Sequence, residues 1–196
     1  MMQVATNKLK DKKIAIITEN GFEEVELTSP KKALEDAGAI VHIISLQTGK
    51  VRAWNHDNWS IELPVDVNLI KANSDDYDAL MIPGGVMNPD HMRLHSEYIT
   101  FAQEFLEAGK IVAAICHAPL LLIETLMISG KEMTSYPSIK TDLLNAGVRW
   151  VDKEVVVDDE IITSRGPKDL PAFNAKLIEE IGEGDHRTRP SFVHHN

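Results

Sequence analysis

The only cysteine of the chain, Cys116, lies in the segment KIVAAICHAPLLLIETL, between an apolar run and a stretch with helical spacing. A residue at a sharp strand-to-helix turn can expose its side chain, and the nearby helix N-terminus favours a thiolate. Pro119 places the helix start near His117, because proline is tolerated only in the first helical turn. The segment predicts a nucleophilic thiol beside His117, but a buried small apolar residue explains the cysteine alone equally well.

Two further segments place polar groups after predicted strands. Glu23 and Glu24 follow the first strand at the start of a helix, and Gly84 and Gly85 follow a later strand in the segment PGG. A carboxylic acid near the sulfur could donate a hydrogen bond to a thiolate, and the amides of Gly85 and His117 could stabilise an oxyanion. Acidic decoration of a helix N-terminus and a tight turn are the alternatives.

These residues are positioned by strands that alternate with helices. Short apolar runs predict strands at 13–18, 40–46, 77–85, 110–115 and within 154–164, and helical spacing covers 26–39, 96–109, 118–130, 138–147 and 169–182. This alternation predicts an α/β fold with a doubly wound, mostly parallel sheet between helices, whose strand ends bring the polar groups to one edge. Residues 47–67 break the pattern and predict a hairpin outside the main sheet.

Length and composition limit the class of protein. The 196 residues, 43% of them hydrophobic, predict a single domain over 1–196 with a core at about 12–181 and a polar tail at 182–196. The net charge of −10 disfavours nucleic acid and anionic membranes as partners. A single cysteine, with no apolar segment of the signal-peptide or membrane-spanning kind, predicts a soluble cytoplasmic protein.

Six segments together resemble the PfpI branch of the ThiJ/PfpI (DJ-one) superfamily, whose fold is similar to the class I glutamine amidotransferase domain. They are GFEEVELTSP, DALMIPGG, IVAAICHAPLLLIET, TSYPSIKTDLLNAG, EVVVDDEIITSR and PKDLPAFN.

The resemblance implies a role for each matching residue. It implies that Cys116 is the nucleophile, that Glu23 is the acid contacting its sulfur, and that His117 completes the site. Asp90 of a neighbouring subunit would orient His117, and the amides of Gly85 and His117 would form the oxyanion hole.

The sequence departs from the family pattern after the histidine, where Ala118 replaces the usual glycine, and at Asp90, where some members have glutamate. No His-x-Glu pair follows, which disfavours glutamine hydrolysis. Tyr136 and Gly84 are expected to line the pocket, with a packing role as the alternative for Tyr136. Trp54 and Trp59 are expected either at a subunit interface or as a roof over the site.

No metal or cofactor is expected. His91 and His95 are four residues apart, but the sequence offers no third ligand beside them.

A thiol beside an imidazole suits addition to a carbonyl or acyl transfer. The resemblance then implies a stress-related cysteine-dependent enzyme that acts on small electrophilic carbonyls or their protein adducts, as a glyoxalase or deglycase, or that cleaves peptides as a PfpI-type protease. The alternatives are a non-enzymatic redox sensor or chaperone with an oxidisable cysteine, and a scaffold with an inert thiol. A homodimer or larger homo-oligomer with a shared site is the expected assembly.

Overall fold

The computed structural model describes residues 7–184, which form a central sheet between two layers of helices. The strands are β1 (Lys13–Ile17), β2 (Phe22–Glu23), β3 (Ile40–Ser45), β4 (Lys50–Asn55), β5 (Asn58–Pro64), β6 (Val67–Asn68), β7 (Ala79–Ile82), β8 (Ile111–Ile115), β9 (Glu132–Met133), β10 (Arg149–Trp150), β11 (Val155–Asp158) and β12 (Ile161–Ser164). The α-helices are α1 (Glu24–Asp36), α2 (Met87–Met92), α3 (Ser96–Glu107), α4 (Pro119–Glu124), α5 (Lys140–Asn145) and α6 (Leu170–Glu183).

The central sheet has seven strands in the order β11-β12-β8-β7-β1-β3-β6. Every neighbouring pair is parallel except β11 and β12, which form an antiparallel edge hairpin. The order runs outward in both directions from β1 and β7, so the predicted doubly wound α/β fold is confirmed. Cys116 follows β8 and Gly84 follows β7, and these adjacent parallel strands end at the same edge.

Both faces of the sheet are covered, which explains why the central strands are apolar throughout. Along β1, Ala15 and Ile17 belong to the core beneath α3, α4 and α5, whereas Ile14 and Ile16 belong to the core beneath α1 and α6. Successive side chains of a strand point to opposite faces, so a single strand contributes to both cores. No helix within residues 7–184 is long and apolar enough to span a bilayer.

The helix predicted over 118–130 is much shorter, because α4 ends at Glu124. Leu126 has a left-handed backbone, with φ of 60°, and the Thr125 hydroxyl donates to the Leu122 carbonyl. A left-handed residue cannot continue a right-handed helix. The other long helices, α1, α3 and α6, lie within a few residues of their predicted positions.

The predicted hairpin at 47–67 is confirmed. Strands β4 and β5 pair antiparallel in a separate sheet, and β2 pairs with β4 so that Glu23 lies opposite Trp54. Trp54 and Trp59 pack edge to face with their ring centres 5.4 Å apart. This second sheet attaches the hairpin to the loop that precedes α1, next to the edge where Cys116 lies.

Candidate functional site

Cys116 occupies a strained turn between β8 and α4. Its φ of 64° lies in the left-handed region, which costs roughly 1–2 kcal/mol for a residue with a side chain. The turn is held on both sides, because the Cys116 amide donates to the Ser164 carbonyl and the Tyr136 amide donates to the Cys116 carbonyl, each over 2.9 Å. Such strain concentrates at functional sites, and here it forms the predicted strand-to-helix turn.

The acid beside the sulfur is Glu26, which corrects the assignment of Glu23 to that contact. Glu26 is completely buried, and its carboxyl interacts with the Cys116 thiol. It lies on the inner face of α1 with Leu27, whereas Glu23 ends β2 and is half-buried; both glutamates line the same cavity. Helical geometry turns Glu26 toward the core, and the extended backbone of Glu23 directs it elsewhere.

Burial keeps the Glu26 carboxyl protonated at neutral pH. Removal from water raises its pKa from 4.5 to about 8, against smaller opposing effects of the Cys116 thiol and the Gly84 and Gly85 amides. Within residues 7–184 neither carboxyl oxygen makes a well-aligned hydrogen bond, so these neighbours act on it at longer range. A buried carboxylic acid of this kind is available to donate a hydrogen bond to a negatively charged group at the sulfur.

Gly84 lets Glu26 approach the cysteine. A β-carbon at this position would lie 2.3 Å from Oε2 of Glu26 and 2.6 Å from the β-carbon of Cys116. Gly84 is buried and does not line the cavity, in contrast to the expected pocket-lining role. Its function is to leave room between the acid and the thiol.

His117 also lies against the sulfur. Its Nδ1 is 3.2 Å from Sγ of Cys116, its Nε2 is 3.0 Å from Oγ of Ser138, and its ring stacks on Tyr136 with centres 4.7 Å apart. Burial lowers the pKa of His117, which favours the neutral imidazole that can accept a proton. Cys116 and His117 therefore form a thiol–imidazole pair within one chain.

The pKa of the Cys116 thiol moves in the opposite direction to that expected from a helix N-terminus. Burial raises this pKa, and the charge of an ionised Glu26 raises it further, whereas the Gly85 and His117 amides lower it. Helix α4 has only six residues, so its dipole is small, while the thiol is only 6% exposed. Activation of the sulfur then requires a base, and the neutral His117 is in position to be that base.

Of the remaining predicted residues, two lie at the site and Asp90 lies away from it within the chain. Gly85 and Tyr136 line a cavity of about 350 Å³ that also contains Cys116 and His117. Asp90 is exposed on α2. Within the chain, Ser138 and not Asp90 contacts Nε2 of His117.

Comparison with known proteins identifies the family. The model of the DJ-1/PfpI family matches residues 12–180. The chain belongs to the DJ-1/PfpI family. Over 167 residues it is 45% identical to a Bacillus subtilis protein named "Putative cysteine protease YraA", covering 85% of this chain and 96% of that one. It is 42% identical over 172 residues to the uncharacterized Staphylococcus aureus protein SAV1875, covering 87% and 98% of the two chains.

The structures agree with this membership of the DJ-1/PfpI family. The crystal structure of Drosophila melanogaster DJ-1beta superposes with a TM-score of 0.80 at 33% identity, covering 89% of this chain and 92% of that one. The resemblance to the superfamily read from sequence is thereby confirmed, and membership supports a cysteine-dependent function.

Sequence reasoning missed several residues of this DJ-1/PfpI site. Glu26 could have been found, because it shares the apolar helix stripe of Pro30 and Leu34 at intervals of four residues, and an acid in such a stripe is buried. His56 was also missed, and it lines the cavity because β2 pairs with β4; Trp54 lines the same cavity, which agrees with the expected roof over the site. That pairing joins residues about thirty positions apart, and no local pattern in the sequence specifies it.

The described part of the chain offers no obvious metal centre. Between residues 7 and 184, no group of three or more histidine, cysteine, aspartate or glutamate side chains is arranged to hold an ion. His91 and His95, the pair considered from sequence, are both exposed around the end of α2.

Proposed function

We propose that this DJ-1/PfpI protein is a cysteine-dependent enzyme that acts on small electrophilic carbonyls, such as 2-oxoaldehydes or the adducts they form on proteins. The observation that carries the proposal is the position of the Cys116 thiol, which lies between a protonated acid and a neutral imidazole in a cavity of about 350 Å³. A cavity of this volume suits a small molecule.

The first step is addition of the thiol to the carbonyl. The thiol proton passes to Nδ1 of His117 as the sulfur bonds to the carbonyl carbon, and the π electrons move to the carbonyl oxygen. That oxygen is stabilised by the amides of Gly85 and His117 and receives the proton from the imidazolium. The product is a hemithioacetal, and no atoms are lost.

With a 2-oxoaldehyde, proton shuttling completes the reaction. His117 removes the hydrogen from the former aldehyde carbon and a proton returns to the neighbouring carbon, so the first carbon is oxidised to a thioester and the ketone is reduced to an alcohol. Water then cleaves the thioester, which releases a 2-hydroxy acid and restores the thiol. The net reaction consumes one dicarbonyl and one water and needs no external oxidant.

Turnover of methylglyoxal to lactate tests this proposal. Wild-type protein should form lactate, and both Cys116→Ala and His117→Phe should lower kcat/KM by at least about 100-fold. Glu107→Gln, which changes an exposed acid on α3, is the matched control and should retain wild-type turnover. Equal rates in wild type and Cys116→Ala would overturn the proposal, and cleavage of casein without lactate formation would favour the peptidase alternative.

Oxidation of Cys116 is a second candidate function, which the protonated Glu26 favours. Two peroxide molecules would convert the thiol to a sulfinic acid and release two waters, and Glu26 could donate a hydrogen bond to the sulfinate. Mass spectrometry should then show a gain of two oxygens at Cys116 in wild type and less in Glu26→Leu. A thiol that resists peroxide would exclude this role.

We also propose a homo-oligomer in which Asp90 of a neighbouring subunit orients His117 through the Ser138 hydroxyl, which contacts Nε2 of the imidazole. Support comes from the exposed position of Asp90 and from the resemblance to the PfpI branch, in which an acid reaches the site from another subunit.

A further inference from the structure

The tip of the β4–β5 hairpin reaches the cavity of Cys116 through His56. This residue and Asp57 join the paired residues Asn55 and Asn58, and His56 lines the cavity whereas Asp57 does not. The φ of His56 is 54°, in the left-handed region that glycine adopts without strain. A two-residue hairpin turn needs a positive φ at this position, and histidine there places an imidazole at the cavity.

The hairpin tip is fastened to the segment that carries Glu23. Glu23 pairs with Trp54 between β2 and β4, and the Trp54 indole donates to the His56 carbonyl over 2.6 Å. Asn55 also donates to the Glu24 carboxylate over 3.4 Å. These contacts hold His56 and Glu23 in a fixed relation at the same cavity.

Glu23 and His56 are close enough to interact electrostatically. Burial raises the pKa of Glu23, the neighbouring His56 lowers it, and Glu24 raises it. Among residues 7–184, no lysine or arginine lines this cavity. A carboxylate substrate would therefore meet Glu23 without a permanent cation to offset it, which disfavours anionic substrates.

A hydroxyl group matches this pair of side chains. It can donate to the Glu23 carboxylate and accept from an imidazole N–H of His56, so both polar groups are used. His56 is exposed and Glu23 half-buried, so water satisfies both side chains in the free protein; a methyl group in the same place would displace that water and form neither hydrogen bond.

We propose that His56 and Glu23 form a polar subsite in the cavity of Cys116 that selects uncharged carbonyl substrates carrying a hydroxyl group. This inference rests on the proposed function, because it names the substrate class for the same nucleophile. The hydroxyl binds at the subsite while the carbonyl carbon is presented to Cys116.

Two substrates that differ by one hydroxyl test the subsite. We compare kcat/KM for 3-hydroxy-2-oxopropanal with that for methylglyoxal in wild type, His56→Gly and Asp57→Asn. The ratio of kcat/KM for 3-hydroxy-2-oxopropanal to that for methylglyoxal should be about fivefold higher in wild type than in His56→Gly, the factor that corresponds to loss of one hydrogen bond of about 1 kcal/mol. Glycine suits the left-handed backbone, so the variant should fold, and Asp57→Asn should keep the wild-type ratio. An unchanged ratio in His56→Gly overturns the subsite.

A binding measurement separates this inference from the proposed turnover. Hydroxyacetone and acetone are compared as protectants of Cys116 against iodoacetamide, which requires no catalysis. Hydroxyacetone should protect at a several-fold lower concentration in wild type, and the advantage should disappear in His56→Gly. Selective protection without lactate formation would reject the enzyme and retain the subsite, whereas equal protection in wild type would reject the subsite even if methylglyoxal is turned over.

Discussion

Glu26 links the chemistry of the site to the stability of the fold, because a carboxyl with no solvent access must keep its proton. In the unfolded chain this carboxyl titrates near its ordinary pKa of 4.5, and in the folded protein near 8. Between these values the folded state binds more protons than the unfolded state. Its free energy of unfolding therefore falls as the pH rises, and the loss levels off above the folded pKa.

The variant Glu26→Gln should remove this pH dependence, because glutamine stays neutral. We define the difference as the free energy of unfolding of Glu26→Gln minus that of wild type. This difference should be roughly 3 kcal/mol larger at about pH 8 than at about pH 5, because only wild type loses stability over this range. Urea unfolding at both pH values measures the difference, and Glu107→Gln corrects for the loss of an exposed carboxylate. A constant difference across this range would show that Glu26 is already ionised at neutral pH.

At the scale of elements, the site depends on how closely α1, the loop after β7 and the turn after β8 approach one another. All three meet at Gly84, since a β-carbon there would overlap Glu26 of α1, Cys116 and the Ile115 carbonyl oxygen. The backbone of Gly84 is not left-handed. An added methyl group would therefore act through overlap alone, without backbone strain.

Gly84→Ala should separate these elements and displace Glu26 from the sulfur. We expect a loss of roughly 1–3 kcal/mol in the free energy of unfolding, as for other overpacked cores, together with a lower turnover of methylglyoxal. Gly182→Ala is the control, because its β-carbon would lie 3.7 Å from Leu9, an ordinary contact, within α6. Wild-type stability and turnover in Gly84→Ala would mean that the close approach has no functional consequence.

At the scale of the whole molecule, the proposed sharing of the site makes activity depend on assembly. Sedimentation should give a multiple of the 21.8 kDa chain mass. Asp90→Asn should lower kcat by about tenfold or more, as expected for loss of an orienting carboxylate.

Mixed oligomers distinguish a shared site from a local effect. Cys116→Ala and Asp90→Asn subunits are each impaired, but together they restore one complete site in each mixed dimer, about a quarter of the wild-type sites. Subunits are exchanged after mild denaturation, and lactate formation is measured. Activity that stays at the level of the separate variants, or a monomeric mass, would reject the shared site.

The sequence by itself determined the alternation of strands and helices, the turn at Cys116 with His117 beside it, and the hairpin outside the main sheet. These features depend on residues near one another in the chain, such as Pro119 after the cysteine or Gly38 after α1, and local patterns report local geometry. Family membership was also readable, because its motifs are short and contiguous.

Only the tertiary structure decided which acid meets the sulfur, how far α4 extends and that His56 faces the cavity of Cys116. Glu23 and Glu26 are three residues apart, and the choice between them depends on where β2 ends and α1 turns toward the core. His56 reaches the cavity because β4 pairs with β2, a contact between distant parts of the chain. The pKa of Cys116 likewise depends on burial, which follows from the packing of the whole domain and not from the residues adjacent in sequence.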